Sequence, residues 1–167
     1  LRKRIPVGAG MAGGSADAAA VLRLLNQAYG RPFSLEKLKE LGLRLGADVP
    51  FCLEGGCKLA QGIGEILSPA PLLPDCALAV VKPRFSISTK KQYEKIDQSP
   101  IQAIPDTPAM LQAMAQGALP QIGALLANVM EAAALPERPQ IEEIRQALLA
   151  SGALGARMTG SGSAVYG

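Results

Sequence analysis

Four glycines fall within seven positions of the run Pro6-Val7-Gly8-Ala9-Gly10-Met11-Ala12-Gly13-Gly14-Ser15-Ala16-Asp17-Ala18, and the run leads straight into a helical pattern. Glycine takes positive φ without penalty and lets a ligand approach the main chain, so consecutive N–H groups can converge on one anion. A helix N-terminus adds unpaired amides and the positive end of the macrodipole. The run has the make-up of a phosphate cradle. The same glycines would also permit tight packing of the helix, and both readings stand on the run alone. No Gly-Lys-Ser/Thr follows, so this is not a Walker A loop; a dinucleotide fingerprint requires a strand directly before the run and an acidic residue about 20 positions later. Glu36 falls in that range but belongs to a second helical pattern.

Composition narrows the partner. Of 167 residues, 17 are Lys or Arg and 14 are Asp or Glu, a net charge of +3, and the basic side chains are scattered among carboxylates. With three Tyr, three Phe and no Trp there are few platforms for base stacking, which argues against nucleic acid and for a small anionic ligand. No stretch of about 18 apolar residues suggests a membrane span, and the apolar fraction of 49% is that of a soluble globular chain. Cys52, Cys57 and Cys76 are odd in number and there is no His, so no zinc pattern is present. Reduced thiols packed as small core hydrophobes in a cytoplasmic protein are expected. The chain opens on Leu1-Arg2-Lys3-Arg4-Ile5 and closes on Val165-Tyr166-Gly167 inside a strand-like run, which gives the expectation of a piece of a longer protein.

Along the chain, Ala18, Val21, Leu22, Leu25 and Ala28 recur at helical spacing over 15–29, with Ser15 or Asp17 as cap and Gly30 and Pro32 as the stop. A second helix runs from a Ser34 cap through Leu35, Leu38, Leu41 and Leu45 to Gly46, with Glu36, Lys37, Lys39 and Glu40 on a solvated face. Residues 57–66 read as a weak hairpin or bulged strand around Gly62 and Gly64. The three prolines of 68–74 exclude a central element and mark a boundary, giving domains 1–74 and 75–167. Ala77-Leu78-Ala79-Val80-Val81 reads as a buried strand ended by Pro83, and the polar stretch 86–100 as a capped loop with a short helix over 90–96. Residues 105–117, 119–135 and 140–150 are Ala/Leu-rich helical patterns punctuated by Pro120, Pro136 and Pro139, with Gly152 closing the last. Residues 156–166 read as strand, glycine turn, strand.

Three further segments hold polar groups in unusual settings. In Leu45-Gly46-Ala47-Asp48-Val49-Pro50-Phe51 a lone carboxylate sits between a glycine and a proline turn, which by itself reads as a capping or turn Asp. Gly160-Ser161-Gly162-Ser163 is by itself a hairpin turn. Arg157, just before it, either meets a phosphate or faces solvent. In Pro83-Arg84-Phe85-Ser86-Ile87-Ser88-Thr89-Lys90 the hydroxyl of Ser88 or Thr89 suits the cap of the helix over 90–96.

Together these segments resemble the GHMP kinases. The glycine run is similar to the family's second signature motif, which wraps the ATP phosphates: a basic residue, Pro-x-Gly-x-Gly-Leu, small residues, then Ser-Ser/Ala. Arg4, Pro6, Gly8, Gly10, Gly13, Gly14 and Ser15 match it. Met11 stands where Leu is usual, and Ala16 where many members have a second Ser that can serve as a magnesium ligand. Segment 45–51 resembles the signature of the diphosphocytidyl-methylerythritol kinases within the superfamily, where the Asp is the catalytic base. That role fits phosphoryl transfer, which needs a carboxylate to take the hydroxyl proton while amides and cations hold the migrating group. Segment 155–167 resembles the C-terminal motif, whose glycine turn approaches phosphate loop and substrate. Segment 83–90 resembles the start of the second domain, which lines the methylerythritol side of the cleft.

The resemblance implies an α+β fold of GHMP kinase type, with a partial ribosomal-protein-S5-domain-2-like domain followed by a ferredoxin-like one and the site in the cleft between them. It implies ATP and Mg2+ as cofactors, Pro6 through Ala16 on the nucleotide, Asp48 as base, and Ser88, Thr89, Gly160 and Gly162 on the substrate, with the metal ligands unassigned. The implied reaction is phosphorylation of the 2-hydroxyl of a cytidine diphosphate-linked methylerythritol in isoprenoid precursor synthesis. Homoserine and mevalonate kinases share the phosphate loop but not the 45–51 segment, and a non-catalytic nucleotide-binding module is the other alternative. The family's N-terminal Lys, which polarises the Asp, and its cytidine-contacting His have no counterpart here: the chain has no His, and Lys3 lies in the wrong place. The chain 1–167 on its own is therefore expected to show no kinase activity, and ATP-dependent turnover by the purified chain would contradict this.

Overall fold

The computed structural model describes residues 2–97 and 104–167. The chain divides into two compact units, Ala12–Leu72, and Leu1–Met11 together with Leu73–Gly167. The junction at Leu72 and Leu73 falls within the proline-bearing segment 68–74. The first eleven residues, which the sequence groups with 12–74, pack instead with the later unit, because their main chain bonds to residues 159–164.

The smaller unit is built on α1 (Gly13–Ala28), α2 (Leu35–Leu43) and α3 (Val49–Glu54), followed by the antiparallel hairpin β1 (Lys58–Gln61) and β2 (Ile66–Pro69). Its core is Ala19, Leu38, Val49 and Leu53, with Ala18, Leu22 and Cys52 packed against it. Burying Leu38, Val49 and Leu53 contributes roughly 1.5–3 kcal/mol each. Gly42 lets α2 and α3 meet, since a Cβ there would lie 2.8 Å from Val49 Cγ1. Ser34 caps α2 as its sequence suggests, its Oγ accepting the Lys37 N–H at 3.3 Å.

Other expectations need correction. α1 starts at Gly13, so Ser15 and Asp17 lie inside the helix, and its N-cap is Ala12. α2 ends at Leu43, and a separate short helix, α3, comes next with Pro50 in its first turn, where the missing N–H costs nothing. The charged face of α2 is solvated only in part: Lys37 pairs with Glu40 in the open, but Lys39 joins Lys58 in holding Glu54.

In the larger unit, β3 (Val80–Val81), β4 (Arg157–Met158) and β5 (Val165–Tyr166) form an antiparallel sheet of order β3-β5-β4. The helices are α4 (Thr89–Asp97), α5 (Thr107–Ala115), α6 (Leu119–Leu125), α7 (Glu131–Ala134) and α8 (Gln140–Ala150). Ala134, Ile141, Met158 and Val165 make its core, joined by Phe85, Ile87, Met130, Leu135, Ile144 and Leu148. The strand expected over 77–81 is short and not buried: Val80 and Val81 are 47% and 38% exposed on the sheet edge. The helix expected over 119–135 is broken, because Leu126 turns extended (ψ 129°) and the Asn128 side chain captures the Met130 N–H at 2.9 Å. The end of the polar stretch, at 98–100, lies outside the described residues. Cys76 is exposed rather than packed, while Cys52 and Cys57 are half-buried, and all three are free. Among the described residues no helix is long and apolar enough to cross a membrane.

Glu54 carries the clearest electrostatic signature. Hydrogen bonds from Lys39 and then Lys58 pull its carboxyl down to about 2 from the ordinary 4.5. A depressed folded value stabilises above the unfolded pKa and loses that stabilisation as pH falls toward the folded one. Glu54→Gln is expected to lower the thermal midpoint at pH 7, with the gap to wild type closing between about pH 4.5 and 2; melting curves across that range check it.

Candidate active site

The glycine run crosses from one unit to the other between Met11 and Ala12, and each half has its own neighbours. In the larger unit Gly8 and Gly10 take φ of 63° and 71°. The Ser163 and Ala164 N–H groups donate to Gly8 O at 3.3 Å and Ala9 O at 3.1 Å. Thr159 Oγ1 donates to Gly10 O at 2.9 Å. Three carbonyl oxygens that would repel a phosphate are thus consumed by the C-terminal turn. The approach is main chain on main chain: a Cβ at Gly10 would lie 2.1 Å from Thr159 O, and one at Gly160 would lie 2.9 Å from Gly10 O. Ala9 and Ala164 are buried at the contact, whereas Pro6, Val7 and Gly8 are exposed.

In the smaller unit Ala12 begins α1 with φ 49° and supplies no side-chain cap, and no acidic residue occupies the first helical turn. In the larger unit positive φ recurs at Gly8 and Gly10, a pattern in which neighbouring amides can turn to one side. The 45–48 loop lies beside the start of the same helix: a Cβ at Gly46 would be 4.0 Å from Ser15 Oγ. Asp48 is the N-cap residue of α3, yet its carboxylate makes no cap hydrogen bond and is exposed. The capping role that its type suggests is not the one it performs. One turn on, burial and then the Asp48 charge push the Cys52 thiol upward, which keeps it protonated and poorly nucleophilic.

Of the other candidates, Ser88 caps α4: its O accepts the Gln92 N–H at 3.1 Å and its Oγ lies 3.5 Å from the Lys91 N–H. Thr89 Oγ1 is 2.8 Å from Ser161 Oγ, so Thr89 is tied to the glycine turn. Gly160 is exposed, while Gly162 is buried with Met158 Sδ 2.6 Å from where its Cβ would lie. Arg157 neither faces open solvent nor stands free for a phosphate, since it donates to Ala156 O at 2.9 Å and lies 3.9 Å from Glu131. Sequence reasoning passed over Asn128, Glu131 and Arg145, which hold residues 156–160 from the side opposite β5. They stand in an Ala/Leu-rich stretch without a motif, and the one signal was an Asn and a Glu three apart in an otherwise apolar run.

Phosphates fit this chain: the loop offers turned amides, and the first turn of α1 carries no competing acid or cap. A dedicated Mg2+ cage does not fit. Among the described residues no three carboxylate, thiol or imidazole groups gather, and Ala16 brings no side-chain oxygen to the loop.

Comparison with known proteins agrees with the fold. The family model described as GHMP kinases N terminal domain matches residues 1–56, and that described as GHMP kinases C terminal matches 110–167. The chain belongs to the GHMP kinases and has their α+β fold. Among its relatives, 4-diphosphocytidyl-2-C-methyl-D-erythritol kinase of Lachnoclostridium phytofermentans is 47% identical over 99% of this chain and 57% of its own length. The enzyme of the same name from Clostridium perfringens is 43% identical over 99% of this chain and 58% of its own. The chain thus spans somewhat more than half the length of these curated relatives. A crystal structure of 4-(cytidine 5'-diphospho)-2C-methyl-D-erythritol kinase superposes with a TM-score of 0.82 at 40% identity, over 100% of this chain and 59% of that one. Homoserine kinase from Cytophaga hutchinsonii shares the fold, with a TM-score of 0.80 at 21% identity over 98% of this chain and 57% of that one.

The glycines of the run differ in what they tolerate. At Gly10 a methyl must displace main chain at positive φ, a cost of roughly 2–4 kcal/mol, whereas nothing lies within 4 Å of a Cβ at Gly14. Gly10→Ala is expected to lower the thermal midpoint markedly and Gly14→Ala to hold or raise it, as calorimetry of the two variants would show.

Proposed function

We propose that the protein to which this chain belongs phosphorylates the 2-hydroxyl of 4-diphosphocytidyl-2-C-methyl-D-erythritol with ATP, in the cytoplasm, as a step toward isoprenoid precursors. The observation that carries this reading is Asp48: an exposed carboxylate free of its helix, in the loop whose Gly46 approaches Ser15 of α1, in a chain 40–47% identical to enzymes bearing that name. The three free thiols suit a reducing compartment.

In this reading the amides of Pro6 to Ala16 hold the ATP phosphates, Pro6 itself contributing its fixed φ rather than an N–H. Asp48 accepts the proton of the substrate hydroxyl as its oxygen forms the new bond to the γ-phosphorus. The bond from that phosphorus to the β,γ-bridging oxygen breaks and ADP leaves. Little else is asked of the protein, since phosphoryl transfer is mainly positioning and charge stabilisation. Mg2+ would accompany ATP, bound through the nucleotide rather than through this chain's side chains, and would offset phosphate charge. Thr89 and Gly160, exposed in the larger unit, are the substrate contacts this reading retains. Ser88 and Gly162 have structural roles as a helix cap and a packed glycine.

Assay of the protein at its full natural length, with ATP and a panel of alcohols, tests the substrate class. Turnover is expected with the cytidine diphosphate substrate, and turnover of homoserine or mevalonate alone would overturn the proposal. Asp48→Asn should lower kcat by roughly 10²–10⁴-fold, the scale of a lost general base, with nucleotide affinity little changed. An unchanged kcat would remove Asp48 from the mechanism.

A further inference from the structure

We propose that Asn128 and Glu131 are positioning residues for the phosphate loop, acting on it through the C-terminal glycine turn; the kinase role of that loop rests on the function proposed for Asp48 and the glycine run. β4 is an outer strand of its sheet. Backbone groups alternate sides along a strand, and the Thr159 N–H faces β5, donating to Ala164 O at 2.9 Å. The N–H and C=O of Met158 therefore point outward, where no strand among the described residues pairs with them. Glu131 Oε1 accepts the Met158 N–H at 2.7 Å. Asn128 Nδ2 donates to Met158 O at 2.7 Å and to Gly160 O at 2.8 Å. Two side chains thus stand in for a missing strand.

Both are themselves fixed. Asn128 Oδ1 accepts the Met130 N–H at 2.9 Å, so both ends of the amide are engaged. Glu131 is 9% exposed, and its charge is met by Arg145 Nε at 3.8 Å and Arg157 Nε at 3.9 Å. Arg145 Nε also donates to Ala156 O at 3.2 Å. Removing one member of such a group leaves the others buried and unpaired.

What makes this more than edge protection is the other side of the same three residues. Met158, Thr159 and Gly160 are held on one side by Asn128 and Glu131, and on the other Thr159 and Gly160 set the position of Gly10. A shift of the turn moves Gly10 with it, because Thr159 Oγ1 bonds directly to Gly10 O and the Thr159 carbonyl stands where a Cβ at Gly10 would lie.

The test uses Asn128→Ala and, to keep the volume, Asn128→Asp, which turns a carboxylate oxygen toward two carbonyls. In the full-length protein both variants are expected to raise KM for ATP about tenfold, the worth of roughly one such hydrogen bond, with KM for the cytidine diphosphate substrate unchanged. Hydrogen exchange at the Ser163 and Ala164 amides should quicken about tenfold, while amides of the β1–β2 hairpin keep their rates. Unchanged exchange at Ser163 and Ala164, acceleration no greater than that of α8, or an unchanged KM for ATP would each overturn the proposal. A wild-type protein with no turnover of this substrate would instead sink the kinase assignment, and the exchange comparison would still decide the positioning role.

Discussion

The larger unit depends on a contact that contains almost no side chain. Gly8, Ala9 and Gly10 give their carbonyls to residues 159–164, and the close approach at Gly10 leaves no room for even a methyl group. The contact is stiff where the Ser163 and Ala164 amides meet Gly8 O and Ala9 O, because main chains cannot change rotamer, and the Thr159 hydroxyl adds one side-chain bond at Gly10 O. It fixes the direction in which the loop leaves the sheet, and it tolerates few substitutions. The surrounding polar network keeps the turn in place, with Lys82 donating to Pro83 O and Phe85 O and Ser163 Oγ donating to Phe85 O.

The smaller unit solves a different problem with ordinary means. Ala19, Leu38, Val49 and Leu53 bind three helices together, and the Gly42 contact brings α2 close enough to α3 for Val49 and Leu53 to seat. The polar groups that matter are left at the rim of that core. A helix start without a side-chain cap and a carboxylate without a helix to serve are each unfavourable in isolation. Their coexistence in one small unit is the kind of local inconsistency that folds retain where chemistry is done.

Much of this was legible in the sequence, and for identifiable reasons. α1, α2 and α8 follow from the spacing of their apolar residues, and the turn of the hairpin from Gly62 and Gly64, because these are decided locally, while its second strand, Ile66–Pro69, runs past the expected 57–66. The glycine run stood out because four glycines in seven positions are a poor choice for a plain helix, whereas Asp48 alone read as a capping or turn residue and was marked only by the resemblance of 45–51. What was not legible depends on distant partners. The break before Met130 is made by an Asn side chain turning back on the backbone, and hydrophobic periodicity runs across it without a mark. Val80 and Val81 look like core and lie on an edge, since an apolar run does not say how many neighbours its strand has. That residues 1–11 pack with the later unit is a matter of long-range pairing that no local pattern encodes.

The hydrogen bond between Thr159 and Gly10 joins positions 149 residues apart. On a ribosome adding roughly 5–20 residues per second, Gly10 is joined to the chain roughly 7 to 30 seconds before Thr159 exists. During that interval α1, α2 and α3 can collapse on their own core, but the glycines ahead of them have nothing to hold them. The loop must therefore be assembled late although it is translated early, and a small anion able to gather its amides would act as a folding ligand during that wait.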